Sequence, residues 1–216
     1  MAPIRSVEPM TTINSISVGA SDPAAAAAFY QAAFDLGDIV RVHRSEAPTT
    51  GFRGFAVSLV VAQPADVDMF AEAALGAGAT ALKPVTKSFW GYGGVVQAPD
   101  GTIWKLATSS KKNTAPATRR VEAVVLLLGV ENVKATKQFY LEHGMTVAKS
   151  FGSKYVEFTA GDSPMKLALY TRRAAAKDVG TAAEGTGSHR ISINGDNGSF
   201  TDPDGFVWGE TTAHAA

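Results

Sequence analysis

The chain has 216 residues, enough for one large domain or two small ones, and its 45 % apolar and 19 % charged residues suit a globular protein with a sizeable core. Twenty basic residues offset twenty acidic ones, so no global field draws in nucleic acid or an anionic membrane; the absence of cysteine excludes disulfides, thiolate metal sites, iron–sulfur clusters and thiol nucleophiles. No run approaches the ~20 apolar residues of a membrane span, and residues 1–9 lack the apolar core of a signal peptide, so a cytoplasmic location is expected.

The first strand signal is the alternating segment 13–18 (Ile-Asn-Ser-Ile-Ser-Val). Asp22-Pro23 then opens a helix through Phe29-Tyr30: the carboxylate can cap free N–H groups, and proline fits the first turn, where its missing N–H costs nothing. Residues 38–42 and 55–61 read as strands. Residues 64–75 read as a second helix, closed by the glycines of Gly76-Ala-Gly-Ala. Strands at 80–83, 93–97 and 102–106 follow, the last after the turn Ala98-Pro-Asp-Gly101.

Residues 109–120 are polar and read as a linker, and then the pattern restarts. A strand at 124–128 precedes a helix from Asn132 through Phe139-Tyr140. Strands are expected at 145–149, 155–158, 166–170 and 189–193, and Asp202-Pro-Asp-Gly205 turns into 206–208. Phe29-Tyr30 recurs 110 residues later, and Pro99-Asp-Gly-x-Ile-Trp104 recurs 104 residues later as Pro203-Asp-Gly-x-Val-Trp208. Residues 193–200 are too few to hold a counterpart of the 64–75 helix. A repeat of this period means two similar units packed together. The basic pairs Lys111-Lys112, Arg119-Arg120 and Arg172-Arg173 read as solvated surface.

On segment 13–22 with Phe29-Tyr30, Trp90-Gly-Tyr-Gly-Gly94, Pro99-Asp-Gly101, Phe139-Tyr140 and Asp202-Pro-Asp-Gly205, the chain resembles the glyoxalase/bleomycin-resistance/dioxygenase superfamily, the vicinal oxygen chelate proteins, from about residue 11 to 212. The resemblance implies an α+β fold of two βαβββ modules, residues 1–108 and 120–213, joined by a linker at 109–119. The second module is shortened, and the curled mixed sheets form a cup. That superfamily spans isomerases, epimerases, dioxygenases, thiol transferases and non-enzymatic drug-binding proteins, so the fold by itself selects no activity.

Metal-dependent members place ligands on the first and last strands of each module. The corresponding positions here are Ser15, Lys105, Val125 and Gly209. None offers an imidazole or carboxylate, and an ammonium repels a divalent ion, so no metal and no other cofactor is expected. Two residues keep a displaced site open. His189 resembles the inner-strand histidine of extradiol dioxygenases, and Glu210 would turn inward if Gly209 formed a bulge. His43 and His143 read as exposed or capping residues, and His214 lies in the terminal tail. Gly185-Thr-Gly-Ser-His-Arg190 begins like a dinucleotide loop but lacks the last glycine and the preceding strand.

The expected function is sequestration of a small apolar or aromatic molecule between the modules. Phe89, Trp90 and Tyr92 would be its walls, and Ser15, Lys105 and His189 its polar contacts. Glu157 is a candidate counter-charge for Lys105. The alternative is a metal-dependent lyase, isomerase or dioxygenase-like enzyme centred on His189 and Glu210. The expected partner is a small hydrophobic ligand, with neither nucleic acid nor membrane, and the chain acts as a monomer or homodimer.

Overall fold

The computed structural model describes residues 11–196 and 198–210, so His214 lies outside it. The first half runs β1 (Ile13–Ala20), α1 (Pro23–Ala33), β2 (Val40–Arg44), β3 (Thr49–Gly51), β4 (Phe55–Val61), α2 (Pro64–Gly76), β5 (Thr80–Ser88), β6 (Gly91–Gln97) and β7 (Ile103–Thr108). The second half starts with β8 (Val121–Val130), α3 (Val133–Glu142), β9 (Val147–Phe151), β10 (Tyr155–Phe158) and β11 (Met165–Thr171). It continues with α4 (Arg172–Val179), β12 (Gly185–Gly187), β13 (Ile191–Gly195), β14 (Phe200–Thr201) and β15 (Val207–Glu210).

Two of the first three helices start where side chains cap them. Asp22 accepts a hydrogen bond from Ala25 N at 3.0 Å, with Pro23 in the first turn, and Asn132 accepts from Lys134 N and Ala135 N. Segment 38–42, expected as strand, opens instead as a 3-10 turn at Gly37–Ile39 before β2 begins. Helix α4, with β3, β12 and β14, was not expected.

The strands form two open mixed sheets and a two-stranded ribbon of β3 and β12. The larger sheet has the order β5-β6-β7-β4-β8-β11-β10-β9 and the smaller β14-β15-β13-β1-β2. Both follow one scheme. Across β6-β7-β4-β8-β11 the pairings alternate antiparallel, parallel, antiparallel, parallel, and β14-β15-β13-β1-β2 repeats that series. Among the described residues the smaller sheet is therefore an abbreviated copy, without counterparts of β5, β9, β10 and α2; only four residues connect β13 to β14. Each sheet draws strands from both sides of the 109–119 segment.

Strand alternation separates two faces of the larger sheet. Phe55, Val57 and Leu59 of β4, Trp104 and Leu106 of β7, and Leu126 and Leu128 of β8 join one continuous core with α1, α2 and α3. Ile16, Val18, Ile193 and Trp208 of the smaller sheet enter the same core. Each large apolar side chain so buried contributes roughly 1.5–3 kcal/mol.

The repeated motifs interlock inside this core. The Tyr30 hydroxyl on α1 donates to Asp100, in the turn before β7, at 2.5 Å. The Tyr140 hydroxyl on α3 donates to Asp202 at 2.7 Å and accepts from Trp208 Nε1 at 3.1 Å. Since α1 follows a strand of the smaller sheet and Asp100 precedes one of the larger, and the reverse holds for Tyr140 and Asp202, the two clamps tie the sheets to each other. Burial, first, and then the adjacent carboxylate hold both phenols well above their ordinary range. Burial also pushes Asp202 up, against hydrogen bonds from Tyr140 and Phe206 N that favour its anion.

The polar segment after β7 is anchored rather than loose. The buried Gln63 side chain accepts from Thr114 N and Ala115 N and donates to the carbonyls of Ala115 and Pro116, while Asp66 accepts from Thr118 N. Arg119, read as solvated, donates to the Ala32 and Ala33 carbonyls at the end of α1 and lies over the Phe70 ring.

Candidate functional site

Lys105 and Val125 lie on the face of the larger sheet opposite the core, as strand parity predicts for Lys105. Ser58 pairs in register with both, and Lys166 pairs with Val125, so one row across the sheet reads Lys105-Ser58-Val125-Lys166. The corresponding row of the smaller sheet is Gly209-Asn194-Ser15, with Asn194 Nδ2 donating to Ser15 and Ser17. The four positions assigned from the family pattern thus fall two to each sheet. Neither row offers an imidazole or a carboxylate, and one contains two ammonium groups. These residues do not fit a divalent ion. Among the described residues, no group of three or more His, Asp or Glu side chains is placed to hold one.

The displaced site is not assembled either. His189 precedes β13, with one ring nitrogen at the Arg53 carbonyl, the other 3.0 Å from the Asp204 carbonyl, and its face stacked on Phe206 at 4.0 Å. Both nitrogens face carbonyl oxygens, which leaves no lone pair directed at a ligand. Glu210 is exposed and pairs with Gly195 in unbroken register, so no bulge at Gly209 turns it inward. The whole of β13 separates the two, since His189 precedes that strand and Glu210 pairs with its last residue.

What occupies the open face is α4, the element sequence reasoning missed. Ala175, Ala176 and Val179 pack against Ala56, Val95 and Ile103 in a second apolar cluster. Its C-terminal end is tied down by charge: Lys105 Nζ lies 2.7 Å from Asp178 Oδ2, and Lys83 Nζ donates to the carbonyls of Lys177 and Asp178. The counter-charge for Lys105 is therefore Asp178. Glu157 instead faces Lys166 and Lys149 at 3.8 and 3.9 Å and accepts from Tyr155. The Tyr155 phenol is pushed up, by burial first and then by Glu157.

Signals for α4 were present. Thr171 Oγ1 accepts from Ala174 N as the N-cap, and Gly180, at φ 80°, ends the helix in the left-handed conformation. The Arg172-Arg173 pair drew attention to surface charge and away from that start and stop.

Beside the end of α4 lies a cavity of about 360 Å³ lined by Lys83, Trp90, Tyr92, Gly94, Lys105 and Asp178, among others. It exists because the open-face positions beneath it are Gly91, Gly93 and Ala107, with at most a methyl group. A Cβ on Gly93 would meet the Leu106 carbonyl at 2.4 Å, so a side chain cannot be added without moving the strand. Trp90 is 83 % exposed at the β5–β6 turn and forms a free wall. Phe89 does not line the cavity; it stands on the surface, edge-on to Trp90, with Lys111 over its ring. Tyr92 donates to Asp68 of α2 at 2.7 Å, and that bond raises its phenol. Ser15 and His189 are not among the lining residues. The cavity thus lies on the larger sheet, between strands of the first half and α4 of the second.

No protein-family model matches the chain, and no curated protein matches it in sequence. Solved structures do. Glyoxalase I from Zea mays aligns over 92 % of this chain and 91 % of its own, at 14 % identity and a TM-score of 0.60. A proposed dioxygenase of Bacillus subtilis subsp. subtilis str. 168 aligns over 87 % of this chain and 71 % of its own, at 15 % identity and a TM-score of 0.56. The chain therefore has the vicinal oxygen chelate fold, the architecture it shares with glyoxalase I. At this identity the likeness extends to the fold alone.

Proposed function

We propose that the protein binds a small planar, largely apolar molecule without a metal, in the cavity between β5–β7 and the end of α4. The observation that carries this reading is the Lys105–Asp178 ion pair. It puts a neutralised cation where the family pattern puts a ligand, and it anchors the end of a helix to that row at Lys105. What remains open is apolar at its floor, polar at one end and bounded by an exposed indole, the combination that small-molecule sites use for orientation and contact area. The ion pair balances Lys105, while Lys83, held by two carbonyls, leaves one positive charge at the same end, so a planar ligand with one polar acceptor group suits the cavity.

Tryptophan fluorescence tests this. Trp104 and Trp208 are buried and Trp90 is exposed. A planar aromatic ligand should quench saturably in the native protein and not in Trp90→Phe. A panel of hydrophobic compounds with no saturable member would overturn the proposal. So would a stoichiometric zinc, nickel, manganese or iron content in protein purified without chelators.

A further inference from the structure

A second cavity, of about 120 Å³, opens at the junction of the two sheets, under the β3–β12 ribbon. Its chemistry is unlike that of the first. Arg53, Arg172 and His189 line it with the hydroxyl residues Thr49, Thr186 and Ser188, and no Asp or Glu is among its lining residues. We propose that this cavity binds a small oxyanion, a phosphate group being the chemistry that matches it. The inference does not depend on the proposed function above.

Three observations support it. First, the positive charge is concentrated and held. Arg172 donates through Nε to the Ala183 carbonyl at 2.9 Å and through Nη2 to the Phe52 carbonyl, and it lies over the Phe52 ring; Arg53 donates through Nη2 to the Asp100 carbonyl. Those hydrogen-bond partners are neutral carbonyls, while the Asp100 carboxylate attracts the Arg53 guanidinium from nearby. Of the carboxylates close by, Asp100 also accepts from Tyr30 and Thr102, and Asp204 accepts from Thr136 and Glu131 N. Arg190 adds a third positive charge close enough to oppose that of Arg53.

Second, polar groups here lack partners. Among the described residues three buried side-chain polar atoms have no hydrogen-bond partner, and two of them, Arg53 Nη1 and Thr49 Oγ1, belong to residues lining this cavity. Buried unpaired polar atoms, a charged donor above all, are costly, and two in residues bordering one cavity leave hydrogen-bonding capacity there that the protein does not meet. Third, the size fits. The space holds several waters, and therefore a tetrahedral oxyanion. The Gly185-Thr-Gly-Ser segment, rejected as a dinucleotide loop, therefore has a ligand of matching size. Its glycines let the ribbon close tightly, since a Cβ on Gly187 would meet the Pro48 carbonyl at 2.1 Å.

Calorimetry and thermal melts with inorganic phosphate, methyl phosphate, acetate and chloride at matched ionic strength test the proposal. Phosphate should bind saturably and raise Tm, while acetate and chloride do not. Methyl phosphate binding as well would assign the site to ester-linked phosphate, and its exclusion would assign it to the free ion. Arg53→Lys keeps the charge and loses the planar fork, and should weaken phosphate about tenfold. Thr49→Val, which keeps the side-chain shape and removes a hydroxyl with no partner in the protein, should weaken it without lowering the melt in chloride. A phosphate effect equal to that of chloride, or undiminished in both variants, would overturn the inference.

Discussion

Tyr140 is the side chain on which the most depends. Its hydroxyl satisfies Asp202 and the Trp208 N–H together, in a place where neither is replaced by water: Tyr140 is 0 % exposed. Tyr140→Phe leaves a carboxylate oxygen and an indole N–H without that partner and should cost about 1–3 kcal/mol in urea unfolding. Tyr30→Phe should cost less, because Asp100 keeps its bonds from Thr102 N and Oγ1. At this scale the sequence was partly legible. Parity placed Lys105 on the open face, and the recurrence of Phe-Tyr and Pro-Asp-Gly marked the clamps without revealing that they bond to each other. The partner of Lys105 was not legible: Asp178 is 73 residues away on a helix whose apolar face is made of alanines.

Among the elements, α4 decides what the open face can do. It is short, with eight residues, and an isolated helix of that length does not hold in water, so its stability comes from packing on the sheet and from its ends. Gly180→Ala tests this. The added methyl strains a left-handed residue and approaches the Lys83 stem at 2.9 Å, at a cost of roughly 1–2 kcal/mol. Native-state hydrogen exchange at 174–180 should speed up about tenfold while the β4 and β8 amides change little. If protection falls equally everywhere, α4 is not a separate unit. Most strands and the first three helices could be placed from periodicity and caps. The exceptions, β3, β12 and β14, have two or three residues each, too few to carry a period.

For the whole molecule, the tyrosines predict the alkaline limit of stability. All five phenols are held above their ordinary range, Tyr30, Tyr140, Tyr155 and Tyr170 by burial first and Tyr92 by its bond to Asp68. The native state therefore keeps protons that the unfolded chain releases near pH 10, so stability is fully present below that pH and falls as pH rises above it. Counting only the buried Tyr30 and Tyr140, the slope approaches about 3 kcal/mol per pH unit. Phenolate absorbance should then appear together with loss of circular dichroism. Stepwise ionisation of the folded protein would contradict this.

Local order set much of this protein in one dimension. Capped helix starts, strand alternation and a repeat of two motifs specify an α+β chain of two related halves, and residue identity alone leaves no imidazole or carboxylate at the ligand positions, because coordination depends on donor atoms that can be read from a sequence. Where those halves meet was decided in three dimensions. Each sheet takes strands from both halves, the clamps cross between them, and α4 lies over the open face, because burying apolar faces and pairing Lys105 with Asp178 reward contacts between residues far apart in the chain, for which no local period leaves a trace.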